Sequence, residues 1–137
     1  MLIRFLVEQD PQFPVISTGI QKIFGAGESI FFTPQVARES WSVFTRPETV
    51  GGFGLEPQAA FELLGAANSA FTFLHDVPDV YNVWLTLVKA QGVSGRQVHD
   101  AYHVAAMMAH GLTKVLTLDK RDFSRYSQIK AVFPQDL

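Results

Sequence analysis

The sequence predicts a three-layer α/β fold with a mainly parallel central sheet, built as a single domain over residues 1–137. Short β-prone runs, "SIFFTP", "KVLTL" and "IKAVF", alternate with longer stretches of helical spacing. No repeat, low-complexity tract or long linker interrupts the alternation, and 137 residues suit one core better than two. A hydrophobic content of 47% with 18% charged residues is the balance of a globular protein.

The chain opens "MLIRFLVEQDPQFP", apolar from its first residue and without an acid until Glu8. The run Met1 to Val7 is too short for a signal peptide or a membrane span. Val15, Ile16, Ile20, Ile23 and Phe24 then have helical spacing, and Gly25 and Gly27 end it. Thr33-Pro34 is a helix start, with Thr33 as N-cap and Pro34 at the first helical position. That helix should reach Thr45, where Arg46-Pro47 breaks it. "ETVGGFG" is a loop and no phosphate-binding P-loop, because it lacks the GK[ST] ending and follows no strand.

A helix is expected from Pro57 to Leu74, with Phe61, Leu64, Ala67, Phe71 and Leu74 on one face. Asp76-Val77-Pro78 separates it from a helix carrying Val80, Val83, Trp84, Leu87 and Val88. The next should start at Ser94, which has capping-box spacing to Gln97 and a staple of Val93 and Val98, and end at Gly111. In parallel sheets of such proteins, ligands sit beyond the carboxyl ends of the strands.

A net charge of −2 excludes a protein that holds nucleic acid by bulk electrostatics, while leaving room for a local basic patch. The absence of cysteine excludes a disulfide framework and a thiolate zinc site, and suits a cytoplasmic protein.

Several acids sit in unusual places. Glu39 lies three residues after Val36 and four before Val43, on what should be the apolar stripe of its helix. The bland alternative is a helix-edge glutamate reaching solvent or pairing with Arg38 or Arg46. Asp100, with Ser94 as N-cap, falls in the second turn, too deep to cap and where aspartate is a poor helix former. Its bland alternative is an i,i+4 pair with Arg96. Asp119 and Asp122, in "VLTLDKRDF", follow the carboxyl end of a predicted strand, and Thr117 can add a hydroxyl to the same mouth. Aspartate is also common in plain turns. Acids converging from separate elements need a counter-charge, which Mg²⁺ or Mn²⁺ supplies, and such clusters perform phosphodiester chemistry.

"SGRQVHDAYHVAAMMAHG" followed by "VLTLDKRDF" resembles the C-terminal half of VapC-type PIN-domain ribonucleases, the toxins of bacterial toxin–antitoxin pairs. "TPQVARESWSVFTRP" resembles the stretch that carries this family's glutamate, and matching runs from the N-terminus to "IKAVF". The resemblance implies a PIN-like α/β/α domain and a metal-dependent endoribonuclease. It further implies action on structured RNA such as transfer RNA and silencing by a cognate VapB-like antitoxin; a homodimer is expected as well. The family's acidic quartet maps to Glu39, Asp100 and either Asp119 or Asp122, as ligands of Mg²⁺ or Mn²⁺.

The departure is at the beginning. The family's first strand ends in an Asp-Thr/Ser-Asn-Val/Ile-Leu motif whose aspartate is a ligand. Here Met1 aligns with the Val/Ile position, which implies a truncated chain whose first strand, aspartate and asparagine lie upstream. "MLIRFL" is then the first helix and not a strand. Glu8 and Asp10 lie one to two turns away and are not expected to replace the aspartate.

Other readings compete. "HDAYH" places His99 and His103 four apart, like a zinc pair with Asp100 as base, but without a clear third ligand. A truncated PIN domain that binds antitoxin or RNA and cuts nothing is the non-catalytic alternative. Arg96, Lys120, Arg121 and Arg125 flank the acids and can steer RNA phosphates, or simply be solvated surface charge. Exposed apolar residues between Pro57 and Gln91 can receive an antitoxin helix or a second copy.

Overall fold

A computed structural model describes residues 1–137. The fold is mixed α/β and helix-rich, with all strand pairing parallel. The strands are two or three residues long and form two separate pairs, β1–β2 and β3–β4, where one central sheet was expected. The chain divides into two compact units, Met1–Leu74 and His75–Leu137.

In the N-terminal unit, α1 (Leu2–Leu6) confirms that the apolar opening is helical. Arg4 is the one strongly exposed residue of that helix, and its guanidinium pairs at 2.9 Å with Asp10, whose side chain is 7% exposed. Asp10 also accepts from the Gln12 amide at 2.9 Å, which sets the turn into α2 (Phe13–Gly25). α2 buries Ile16 and Ile20 and ends beside Gly27, which takes φ +75 as a left-handed C-terminal glycine does. β1 (Phe31–Phe32) leads into α3 (Pro34–Thr45), capped as expected by Thr33, whose hydroxyl accepts from the Val36 amide at 3.4 Å.

α4 spans Pro57–Ala70 and stops short of the expected Leu74, because Thr72–Phe73 forms β2 alongside β1. Phe71 and Leu74 continue the helical spacing, so periodicity alone hides a strand built from β-prone "FTF". The Phe32 and Phe73 rings meet edge-on at 5.1 Å across the pair. The buried face of α4 is marked by Ala60 and Ala67, both fully buried, while Phe61 stands 65% exposed.

In the C-terminal unit, α5 (Val80–Ala90) and α6 (Gln97–Ala109) pack through small residues. Ala101, Ala105 and Ala106 are buried on α6 and let α5 approach closely. Trp84 joins two apolar clusters, one around Val80 and Ala105, the other around Leu87, Ala101, Val104, Phe123 and Tyr126. Its indole N–H donates to the Val98 carbonyl at 3.1 Å, which satisfies a polar group that burial would otherwise penalise.

The expected capping box does not form, since α6 begins at Gln97 with no side-chain cap. Gly95 at φ +56 puts a turn after Ser94, and the Val98 amide reaches back to the Gly95 carbonyl at 3.3 Å. Val93 packs against the Leu87 cluster. Gly111, at φ +68, follows the helix as expected. β3 (Lys114–Leu116) then pairs with β4 (Lys130–Val132), aligning Leu116 with Val132.

Candidate functional site

Glu39 lies in the N-terminal unit, and Asp100, Asp119 and Asp122 lie in the C-terminal unit. Glu39 is exposed and does not occupy a buried stripe. The stripe of α3 runs through Ser40 and Phe44, which are 1% and 0% exposed, and Glu39 stands at its edge. A buried serine in place of an aliphatic residue is what displaced the expectation. Gln35, itself buried, donates its side-chain amide to Glu39 Oε1 at 2.8 Å, one turn away.

Asp100 is half-buried and sits in the first turn of α6, one turn nearer the helix start than expected. The late start at Gln97 accounts for the shift. An acid in this turn is favoured by the partial positive charge of the unpaired amides, so Asp100 needs no other explanation for being helical. Arg96 is the N-cap residue, and His99 is exposed on the same turn.

Beyond β3 the chain makes a tight acidic turn. The Thr117 amide extends the ladder to the Val132 carbonyl at 3.0 Å. The Thr117 hydroxyl accepts from the Asp119 amide at 3.1 Å and lies 3.2 Å from the Asp119 carbonyl, so it shapes the turn. Asp119 Oδ1 accepts from the Arg121 amide at 2.9 Å and Nε at 3.1 Å, and Oδ2 from the second guanidinium nitrogen at 2.8 Å. Both carboxylate oxygens of Asp119 are thus engaged by one neighbour two residues away. Asp122 is exposed in the 3₁₀ turn Arg121–Phe123.

The guanidinium hydrogen bonds, and then the Arg121 amide, hold the Asp119 carboxyl below the ordinary carboxylate range, and the same pair raises Arg121. A carboxyl depressed in the folded state lends stability at pH values above its unfolded range. That stability disappears as pH falls through the folded value, below about pH 4. Arg121 is 90% exposed, so solvent keeps the contribution small. In a carboxyl-resolved NMR titration, Arg121→Gln is expected to move the Asp119 midpoint upward. An unmoved midpoint would show that the fork does not persist in solution.

Lys120 pairs with Asp136 and lies 4.2 Å over the Phe133 ring, and Arg121 is engaged by Asp119. Two of the cations expected to meet RNA therefore already face intramolecular partners, while Arg96 and Arg125 stand exposed. Within neither unit do three carboxylate or imidazole side chains gather as a metal-holding group. The donor chemistry of the predicted set is all carboxylate oxygen, which fits a hard cation such as Mg²⁺ or Mn²⁺.

Two features escaped sequence reasoning. Tyr126 is 2% exposed although serines and Arg125 flank it, and its hydroxyl is buried without a partner. In the N-terminal unit, Leu6, Val7, Asp10, Phe53, Leu55 and Leu63 line an open groove of about 560 Å³. No helix is long and apolar enough to cross a membrane. Neither a family profile nor a curated protein sequence matches the chain.

Proposed function

We propose that the protein is a metal-dependent endoribonuclease of the VapC-type PIN class, a single PIN-like α/β/α domain that cleaves structured RNA in the cytoplasm. The observation that carries the reading is the address of its acids. Asp119 and Asp122 follow the carboxyl end of β3, a strand in parallel pairing, where α/β proteins place ligands. Asp100 stands in the first turn of the helix that leads into that strand. The likeness of "SGRQVHDAYHVAAMMAHG" and "VLTLDKRDF" to the family adds the ribonuclease chemistry.

In this reading the resemblance assigns Glu39, Asp100 and one of Asp119 and Asp122 as the residues that would hold Mg²⁺ or Mn²⁺. The bound cation supplies water activation and charge stabilisation at the leaving oxygen. Asp122 is exposed, whereas Asp119 must first exchange its Arg121 contacts for a cation. Thr117 keeps the turn in shape by binding the Asp119 backbone. Arg96, with Arg121 and Lys120 once released from their carboxylates, attracts RNA phosphates. A VapB-like antitoxin or a second copy covers apolar side chains left in water, such as Tyr81 and Leu85 on α5, at 60% and 49% exposure.

The test is cleavage of a structured RNA pool, transfer RNA included, with Mn²⁺ present and then chelated. Cutting that requires the metal and is lost in Asp100→Asn supports the reading. Uncut RNA under both conditions selects the inert alternative, a PIN-like domain that only binds antitoxin or RNA.

A further inference from the structure

The Tyr126 hydroxyl is a buried side-chain atom with no hydrogen-bond partner. Its ring is held in the cluster formed by Leu87, Ala101, Val104 and Phe123, and its amide donates to the Phe123 carbonyl at 3.1 Å. Ala101 and Val104 lie on the first turns of α6, directly after Asp100, so the tyrosine shares its apolar cluster with the residue that follows that acid. A phenylalanine would fill the same apolar cluster without stranding a polar atom. A buried phenol without a partner is unfavourable, and a partner that another state of the site supplies would account for it.

The charged groups that act on this phenol are Arg125 and Asp100. Only the carboxylate can accept its proton. Burial pushes the phenol above its ordinary pKa, so it remains a donor at neutral pH. Asp100 has contacts of its own, and a carboxylate with several lone-pair sites can accept one bond more.

We propose that Tyr126 is a positioning residue for Asp100: its hydroxyl donates to the Asp100 carboxylate when that side chain turns to hold the metal ion. The bond is absent from the present conformation, so it favours one Asp100 rotamer over another. With one oxygen held by the phenol, the other would be left to hold the cation. Outer partners of this kind orient metal ligands in many sites. The inference rests on the metal site proposed above.

The experiment uses the full chain and Mn²⁺ alone, with binding read by titration calorimetry and stability by metal-free melting. Wild type, Tyr126→Phe, Asp100→Asn and the double variant are compared. Tyr126→Phe is expected to melt no lower than wild type without metal and to bind Mn²⁺ about tenfold more weakly. In the Asp100→Asn background the same change should make no further difference to binding. Equal Mn²⁺ affinity in Tyr126→Phe and wild type overturns the role of Tyr126 and leaves the metal site standing. A lower metal-free melting point, or an equal loss of affinity in both backgrounds, shows a merely structural tyrosine. Wild type that takes up no Mn²⁺ overturns the metal site itself, and the inference with it.

Discussion

Gly52→Ala is expected to destabilise the protein by about 2–3 kcal/mol, lowering its melting point by roughly 10 °C. The loop after α3 folds back on the helix end through four backbone bonds. The Gly52 amide donates to Pro47, Phe53 to Val43, Gly54 to Arg46 and Leu55 to Phe44. This brings Gly52 so close to the Arg46 backbone that an added methyl would overlap the Arg46 carbonyl oxygen and side-chain Cγ. The obstacle is backbone, which cannot swing aside as a side-chain tip can. Gly52 is not in the left-handed region, so the cost comes from overlap and not from backbone strain.

Two comparisons isolate the cause. Gly25 has open space where its Cβ would stand, so Gly25→Ala should be neutral or slightly stabilising in the last position of α2. Gly51, at φ +77, should cost about 1 kcal/mol on replacement by alanine. A Gly52→Ala protein that melts with wild type would mean that the loop does not close on Arg46. Phe53 and Leu55 line the open groove of this unit, so the same substitution should also loosen that wall.

Asp100→Asn is expected to lower Mn²⁺-dependent RNA cleavage by about 100-fold or more while leaving the melting point near wild type. Asparagine preserves the size of the side chain and one acceptor oxygen but removes the charge that a hard cation requires. Asp100 is half-buried on a helix surface, so the substitution opens no cavity. The loss of a carboxylate from the first turn costs only a fraction of a kcal/mol, on the order of 0.5. Parallel Asp119→Asn and Asp122→Asn variants identify the partner ligand. The one that shares the metal should match Asp100→Asn in activity, and the other should cleave nearly as wild type does. Full activity in Asp100→Asn would remove the proposed site.

Local chemistry made much of the fold legible. Thr33-Pro34 starts α3, Pro57 starts α4, and Gly27 and Gly111 follow the ends of their helices, because each residue type has few backbone conformations open to it. The failures share a different origin. β2 stayed hidden because Phe71 and Leu74 happen to continue a 3.6-residue period, and only the pairing of Thr72 with Phe31 makes the segment a strand. Ser94 has capping-box spacing, yet the turn at Gly95 moves the helix start to Gln97. The acids at 119 and 122 could be placed from strand order alone. Glu39 was misplaced because burial of Ser40 is set by packing and not by polarity. Tyr126 was missed for the same reason, since its flanking serines and Arg125 give no sign of the apolar cluster that encloses it.

The two parallel pairs differ in the length of chain each must close. The register joins residues 32 and 73 in the N-terminal unit, but residues 116 and 132 in the C-terminal one. A flexible loop more than twice as long costs about 0.8 kcal/mol more to close, so β3–β4 forms with less loss of chain entropy. The Thr117 and Lys130 amides should therefore exchange with deuterated water more slowly than those of Thr72 and Leu74, which donate across the other pair. The reverse order would mean that packing around β1 and β2 outweighs loop length. The acids beyond β3 accordingly stand on the pair that the chain holds more readily closed.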